Sequence, residues 1–131
     1  MRERFAIELA AYRSNRNRVA QGLIVVCDGD RLGVGGRIDD FADTCRAHGV
    51  APRKADDRVA LFVPTWNVET WLAYLSGSTV DEATTNYPRL KRPRDCQTHV
   101  ERLYEMCQQK SLRQPAPPSL EAACLEYQRL A

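Results

Sequence analysis

The sequence predicts a small α/β fold, a parallel sheet with flanking helices followed by a helical C-terminal part. Three observations carry that reading. Two short runs are uniformly apolar, Leu23-Ile24-Val25-Val26-Cys27 and Val59-Ala60-Leu61-Phe62-Val63. Such runs, rich in branched side chains, fit strands covered on both faces, as in a parallel sheet. Between them, residues 37–48 set Ile38, Phe41, Ala42 and Cys45 on one helical face. Strand, helix, strand makes a βαβ unit, whose strands run parallel through a right-handed crossover. Beyond residue 75 the apolar spacing is helical and no further strand pattern occurs.

A chain of 131 residues forms one domain, 1–131, with an α/β part at 1–75 and a basic loop plus C-terminal helices at 76–131. The apolar fraction of 44% and charged fraction of 27% are those of an ordinary globular protein. A net charge of +2 gives no global field for nucleic acid, so any such contact must come from local patches. No stretch approaches the ~18 consecutive apolar residues of a membrane helix, and Met1-Arg2-Glu3-Arg4 lacks the apolar core of a signal peptide. The expectation is a cytoplasmic protein without membrane contact. The five cysteines (Cys27, Cys45, Cys96, Cys107, Cys124) show no Cys-x-x-Cys spacing, and buried free thiols are the expected state.

Taken in order, residues 2–16 read as a helix, with Phe5, Leu9 and Tyr12 at helical spacing and Ala6 and Ile7 beside them. A strand at Gly22–Cys27 follows. The segment Arg31-Leu32-Gly33-Val34-Gly35-Gly36-Arg37 is glycine-rich and reads as a mobile loop. Its spacing matches neither a dinucleotide fingerprint nor a P-loop. In the helix at 37–48, Asp39 and Asp40 fall in the first turn, where the macrodipole favours negative charge. Gly49 and Pro52 close it, and the strand at 59–63 ends at Pro64. Asn67 is a good N-cap for a helix whose stripe is Val68, Trp71, Leu72 and Leu75, with Gly77 at its end. Residues 76–95 read as a polar, irregular loop, since Pro88 and Pro93 forbid a helix through it. A helix over about 95–109 has Cys96, Val100, Leu103, Tyr104 and Cys107 inward. Pro115, Pro117 and Pro118 form a stiff connector, and Ser119 caps a last helix bearing Leu120, Ala123, Cys124 and Tyr127. Two strands are few for a self-sufficient sheet, so another strand, from a further copy or a partner chain, is expected to complete it.

The chemistry concentrates where the first strand ends, at Asp28-Gly29-Asp30-Arg31. Ligand crevices of parallel sheets lie beyond the carboxyl ends of the strands, and residues two apart on a strand point the same way. Two converging carboxylates need a cation, a proton or an arginine between them, and Mg²⁺ or Mn²⁺ suits such a pair. The opposing reading is a plain turn, which Asp-Gly-Asp also makes well. The second strand ends on the same edge, and Glu69 follows it in the first turn of the next helix. That acid is either a third metal ligand or one placed there by the helix dipole. Arg31 and the loop cations Arg89, Lys91 and Arg92, flanked by Tyr87, are candidates for phosphate contact. Basic clusters also occur at 13–18 and 53–58.

The strand ending in Asp28-x-Asp30 resembles the Asp-x-Asp motif of Toprim-type metal-dependent domains. The stretch Pro64-x-x-x-x-Glu69-x-Trp71 resembles the acid-before-aromatic-helix segment of the RloB-like and OLD-nuclease-like branch found in bacterial defence proteins. The resemblance covers residues 1 to about 75. It implies a partial Toprim or Rossmann-like sheet and divalent-metal-dependent cleavage of nucleic-acid phosphodiesters. Asp28, Asp30 and Glu69 would then be the catalytic and metal-binding acids, and Arg31, Arg89, Lys91 and Arg92 the nucleic-acid contacts. Toprim domains also carry a glutamate on a strand ahead of the Asp-x-Asp strand, whereas here a single helix precedes Gly22. That departure keeps a second expectation open, a non-catalytic truncated remnant or interaction module that pairs through an exposed sheet edge.

Overall fold

The computed structural model describes residues 2–18, 21–83 and 97–130. Helix α1 (Arg2–Asn15) leads into strand β1 (Leu23–Val26), helix α2 (Gly33–Ala47) and strand β2 (Val59–Phe62). Helices α3 (Val68–Leu75), α4 (Gln97–Gln109) and α5 (Pro118–Tyr127) follow, and a 3₁₀ turn at Gln128–Leu130 ends the described chain. The strands pair in parallel, Leu23 opposite Val59 through Val26 opposite Phe62. The expected small α/β fold with a helical C-terminal part is present.

Alternation along the strands sends side chains to two separate cores. Leu23, Val25, Val59 and Leu61 face α1 and α2, where Phe5, Leu9, Tyr12, Phe41 and Cys45 are buried. Phe62 faces the other way, toward Trp71, Tyr74 and Leu75 of α3 and Leu120 and Ala123 of α5. The sheet therefore lies between α1 and α2 on one side and α3, α4 and α5 on the other.

The cover is unequal. Helix α5 packs along β2, which leaves Ile24 and Val26 of β1 51% and 50% exposed on the α5 side. The uniformly apolar β1 is thus covered on one face only, contrary to the sequence expectation. The outer edge of β2 is closed by side chains. Glu126 of α5 accepts the Leu61 amide at 2.9 Å and pairs with Arg53, and Arg53 also donates to the Val59 carbonyl at 2.9 Å. Burial pushes the Glu126 carboxyl up, but the Arg53 guanidinium and the Leu61 amide outweigh it and hold it below the ordinary value.

Several boundaries differ from expectation for identifiable reasons. Helix α2 begins at Gly33, so the glycine-rich segment is helical from there on rather than a loop. Val34 and Ile38 pack against the first core, and this apolar stripe, reaching back to Val34, overrides the low helix propensity of Gly35 and Gly36. Asp39 and Asp40 consequently lie beyond the first turn, which holds no acid. Asn67 caps α3 as expected, its Oδ1 accepting from the Thr70 amide at 3.2 Å.

Helix α4 has no buried residue. Val100 and Tyr104 are more than half exposed rather than inward, because only Leu103 and Met106 reach the second core. Ser119 sits inside α5, whose N-cap is Pro117. Its hydroxyl accepts from Trp71 Nε1 at 2.8 Å and donates to Glu82, while its amide donates to Glu82 at 2.9 Å. An acid from the polar loop, Glu82, thus does the capping assigned to Ser119. Cys107 and Cys124 form a disulfide between α4 and α5, and Cys27 and Cys45 are free thiols. The expectation of free thiols throughout fails because α4 and α5 bring this pair within 5.2 Å at Cα. Cys96 lies outside the described residues.

Asp57 ties α1 to the approach of β2. Its fully buried carboxylate pairs with Arg13 at 2.7 Å and Arg16 at 3.2 Å and accepts the Lys54 amide at 2.9 Å. Arg13 also donates to the carbonyls of Ala51 and Pro52. Burial raises the Asp57 pKa, but the Arg13 bond and the Lys54 amide outweigh it, leaving the carboxyl below its ordinary value. A depressed folded-state value stabilises the fold fully above the unfolded value of about 3.9, and that contribution is lost as pH falls below it and through the lower folded-state value. We expect Asp57→Asn to cost about 2–4 kcal/mol at neutral pH and to flatten the acid limb of the stability curve. Denaturant unfolding from pH 7 to pH 3 checks this; equal stability of both proteins at pH 7 would show that the carboxylate holds nothing together.

Candidate functional site

The carboxyl edge of the sheet is built from a tight turn. The Gly29 amide donates to the Pro64 carbonyl at 2.7 Å, and the Leu32 amide returns to the Gly29 carbonyl at 3.0 Å. The first bond joins the ends of both strands, and the second closes the turn itself. Glycine is needed at 29 because a Cβ there would stand 3.2 Å from main-chain atoms of Gly33, Pro64 and Thr65. Asp30 adopts a left-handed backbone, φ +50°, a conformation that Asp tolerates better than most residues. It lies beyond β1, so strand alternation no longer applies. The expectation that Asp28 and Asp30 converge from neighbouring positions on one strand is corrected by this turn.

The cation at this edge is Arg37. Its Nε donates to the Asp28 carbonyl at 3.1 Å, its Nη1 bonds Asp40 at 3.2 Å, and its Nη2 lies 3.7 Å from Asp30. Asp40 is also paired with Arg2 at 3.1 Å. The Arg37 side chain is only 16% exposed, whereas that of Asp30 is 66% exposed. The site is thus a fixed, nearly buried cation between two carboxylates, one held and one presented to solvent. Burial pushes the neighbouring Cys27 thiol above its ordinary value, against a smaller downward pull from Arg37, which disfavours the nucleophilic thiolate.

The expected site residues are placed as follows. Asp28 and Asp30 lie on this turn, Arg31 is exposed beside them, and Glu69 lies in the first turn of α3. Among the described residues, no group of three or more His, Cys, Asp or Glu side chains is arranged to hold a metal ion. The trio Asp28, Asp30 and Glu69 is therefore not assembled as one coordination sphere. Arg89, Lys91 and Arg92 lie outside the described residues. The basic clusters at 13–18 and 53–58 do meet, but around Asp57, and Arg13 and Arg53 spend their donors on internal carboxylates and carbonyls.

No protein-family model, curated protein or solved structure matches this chain. The site must be judged on its own chemistry. Arg37 is the member that the sequence reading passed over. The signal was there, since two acids at one strand end require a counter-cation, and Arg37 stands seven residues after Asp30 in the sequence.

Two glycine variants test the turn. Gly29→Ala should cost about 1–3 kcal/mol through the forced separation of the two strand ends. Gly35→Ala, inside α2 with open space around the added carbon, should instead raise stability by about 0.5–1 kcal/mol. Thermal melts of both variants check the opposite signs; a Gly29→Ala protein as stable as the parent would mean that the strand ends are not tightly joined.

Proposed function

We propose that this chain works as an interaction module that accepts an extended strand onto the outer edge of β1. One observation carries the reading: Ile24 and Val26 turn half-exposed side chains to one face, and β1 has β2 as its one strand neighbour among the described residues. The other edge of the sheet is closed by Glu126 and Arg53. Beside the open edge, Ile24 and Phe62 line an apolar cavity of about 200 Å³ with Val100, Leu103, Tyr104 and Tyr127. Strand addition uses this combination, with main-chain bonds for affinity and apolar pockets for selectivity. A cytoplasmic location belongs to the same proposal; there the Cys107–Cys124 bridge faces reduction.

A labelled peptide carrying residues 21–28, titrated to large excess, tests the reading. We expect saturable binding that weakens at least ~10-fold in Val26→Pro, since proline removes an outward N–H and suits an edge strand. Absence of binding, or equal binding by the variant, sinks the proposal.

A second reading is Mg²⁺- or Mn²⁺-dependent cleavage of nucleic-acid phosphodiesters. It is favoured by Asp28 and Asp30 standing with Arg37 at the carboxyl edge of a parallel sheet. Two carboxylates and waters suffice for such an ion when substrate phosphate completes the shell, and Arg37 or Arg31 would contact that phosphate. Calorimetric titration of Mn²⁺ should then give binding that disappears in the Asp28→Asn/Asp30→Asn double variant. Heat that is the same in both proteins removes this reading.

A further inference from the structure

We infer that the strand received by the β1 edge is β1 of a second copy of this chain, laid antiparallel across a two-fold axis. The inference rests on the edge-pairing reading above and names its partner. The ladder fixes which groups are on offer. The amides of Leu23 and Cys27 donate to the carbonyls of Arg58 and Phe62 at 2.9 and 3.0 Å. Odd-numbered residues of β1 therefore turn their main chain toward β2, and Ile24 and Val26 turn theirs outward.

An antiparallel neighbour meets such an edge in hydrogen-bonded pairs, each residue donating and accepting across the pair. Setting Ile24 opposite Val26 of the second copy, and Val26 opposite Ile24 of the second copy, engages every outward amide and carbonyl of both residues. The two-fold axis then passes beside Val25. The half-exposed side chains become direct cross-strand neighbours on one face, an apolar β-branched pairing that stabilises sheets. Val100 and Tyr104, both more than half exposed, border that face through the shared cavity.

Charge decides the partner and its direction. The chain entering β1 carries the exposed Arg18, and the chain leaving it carries Asp30, which stays 66% exposed although Arg37 stands 3.7 Å away. Antiparallel order brings the basic end of each copy to the acidic end of the other; parallel order would set acids beside acids. The self-paired sheet runs β2-β1-β1-β2, and both of its outer edges are the ones closed by Glu126 and Arg53. Association therefore stops at the dimer, because no open edge remains to propagate it.

Sedimentation equilibrium over the micromolar to submillimolar range tests this. Wild type should dimerise, with the dissociation constant raised at least ~10-fold in Val26→Pro and in Ile24→Lys. The two variants perturb the edge differently, so misfolding of one leaves the other informative. Register is read by oxidising Ile24→Cys and Val26→Cys proteins. The mixture should give a covalent dimer, and each protein alone should give little, because only the mixture sets the two thiols opposite each other. A wild type that stays monomeric yet still binds the residue 21–28 peptide overturns self-pairing and leaves the edge reading standing. A dimer unaffected by both substitutions, or one without the mixed cross-link, overturns the stated arrangement.

Discussion

The architecture depends on how a sheet of two strands satisfies its main chain. Every strand has two hydrogen-bonding edges, and each buried amide or carbonyl left unpaired costs about 1–3 kcal/mol. On β2 the demand is met by a carboxylate and a guanidinium. Glu126 takes the Leu61 amide, Arg53 takes the Val59 carbonyl, and the two charges neutralise each other. Because Glu126 belongs to α5, this bond fixes where α5 lies. That position in turn sets the second core, with Leu120 and Ala123 against Trp71, Tyr74 and Leu75.

The same placement explains why β1 is treated differently. With α5 committed to β2, nothing of comparable reach among the described residues covers Ile24 and Val26, and α4 contributes mainly its rim. At the carboxyl edge, by contrast, polarity is managed internally. Arg37 rises from α2 to bind the Asp28 carbonyl and sit between Asp30 and Asp40. The molecule thus presents an apolar strand edge beside an arginine-neutralised acidic turn, and the two adjoin through Asp28.

Much of the fold was legible from residues 22 to 75. The two apolar runs, the intervening amphipathic stripe and the Asn67 cap each carry a local signal stronger than any competing one, and all form elements. The extent of α2 was misjudged because three glycines weigh against a helix locally, while Val34 and Ile38 gain burial only when the first core exists. The exposure of β1 was unreadable for a similar reason. A uniformly apolar strand states what could be buried, and only the position of α5 decides what is. The acids of the turn were found by type and spacing, but their arrangement was not. The left-handed Asp30 breaks strand alternation, and Arg37 reaches them from another element. Glu82 took the capping role expected of Ser119 because capping is settled by whichever acceptor lies over the helix end.

The disulfide divides the molecule into parts of unequal resilience. It joins residues 17 apart, a span for which a covalent closure contributes about 3 kcal/mol in the chain-entropy picture. It anchors α4, the helix without a buried residue, whose other ties include Leu103 and Met106, a bond from Arg102 to the Leu75 carbonyl and contacts of Tyr104 and Gln108 with Tyr127. Reduction would therefore lower the opening free energy of α4 first, ahead of the first core, which shares no residue with it. In amide exchange or limited proteolysis, the C-terminal third would report the redox state of the solution while α1, α2 and both strands kept their protection.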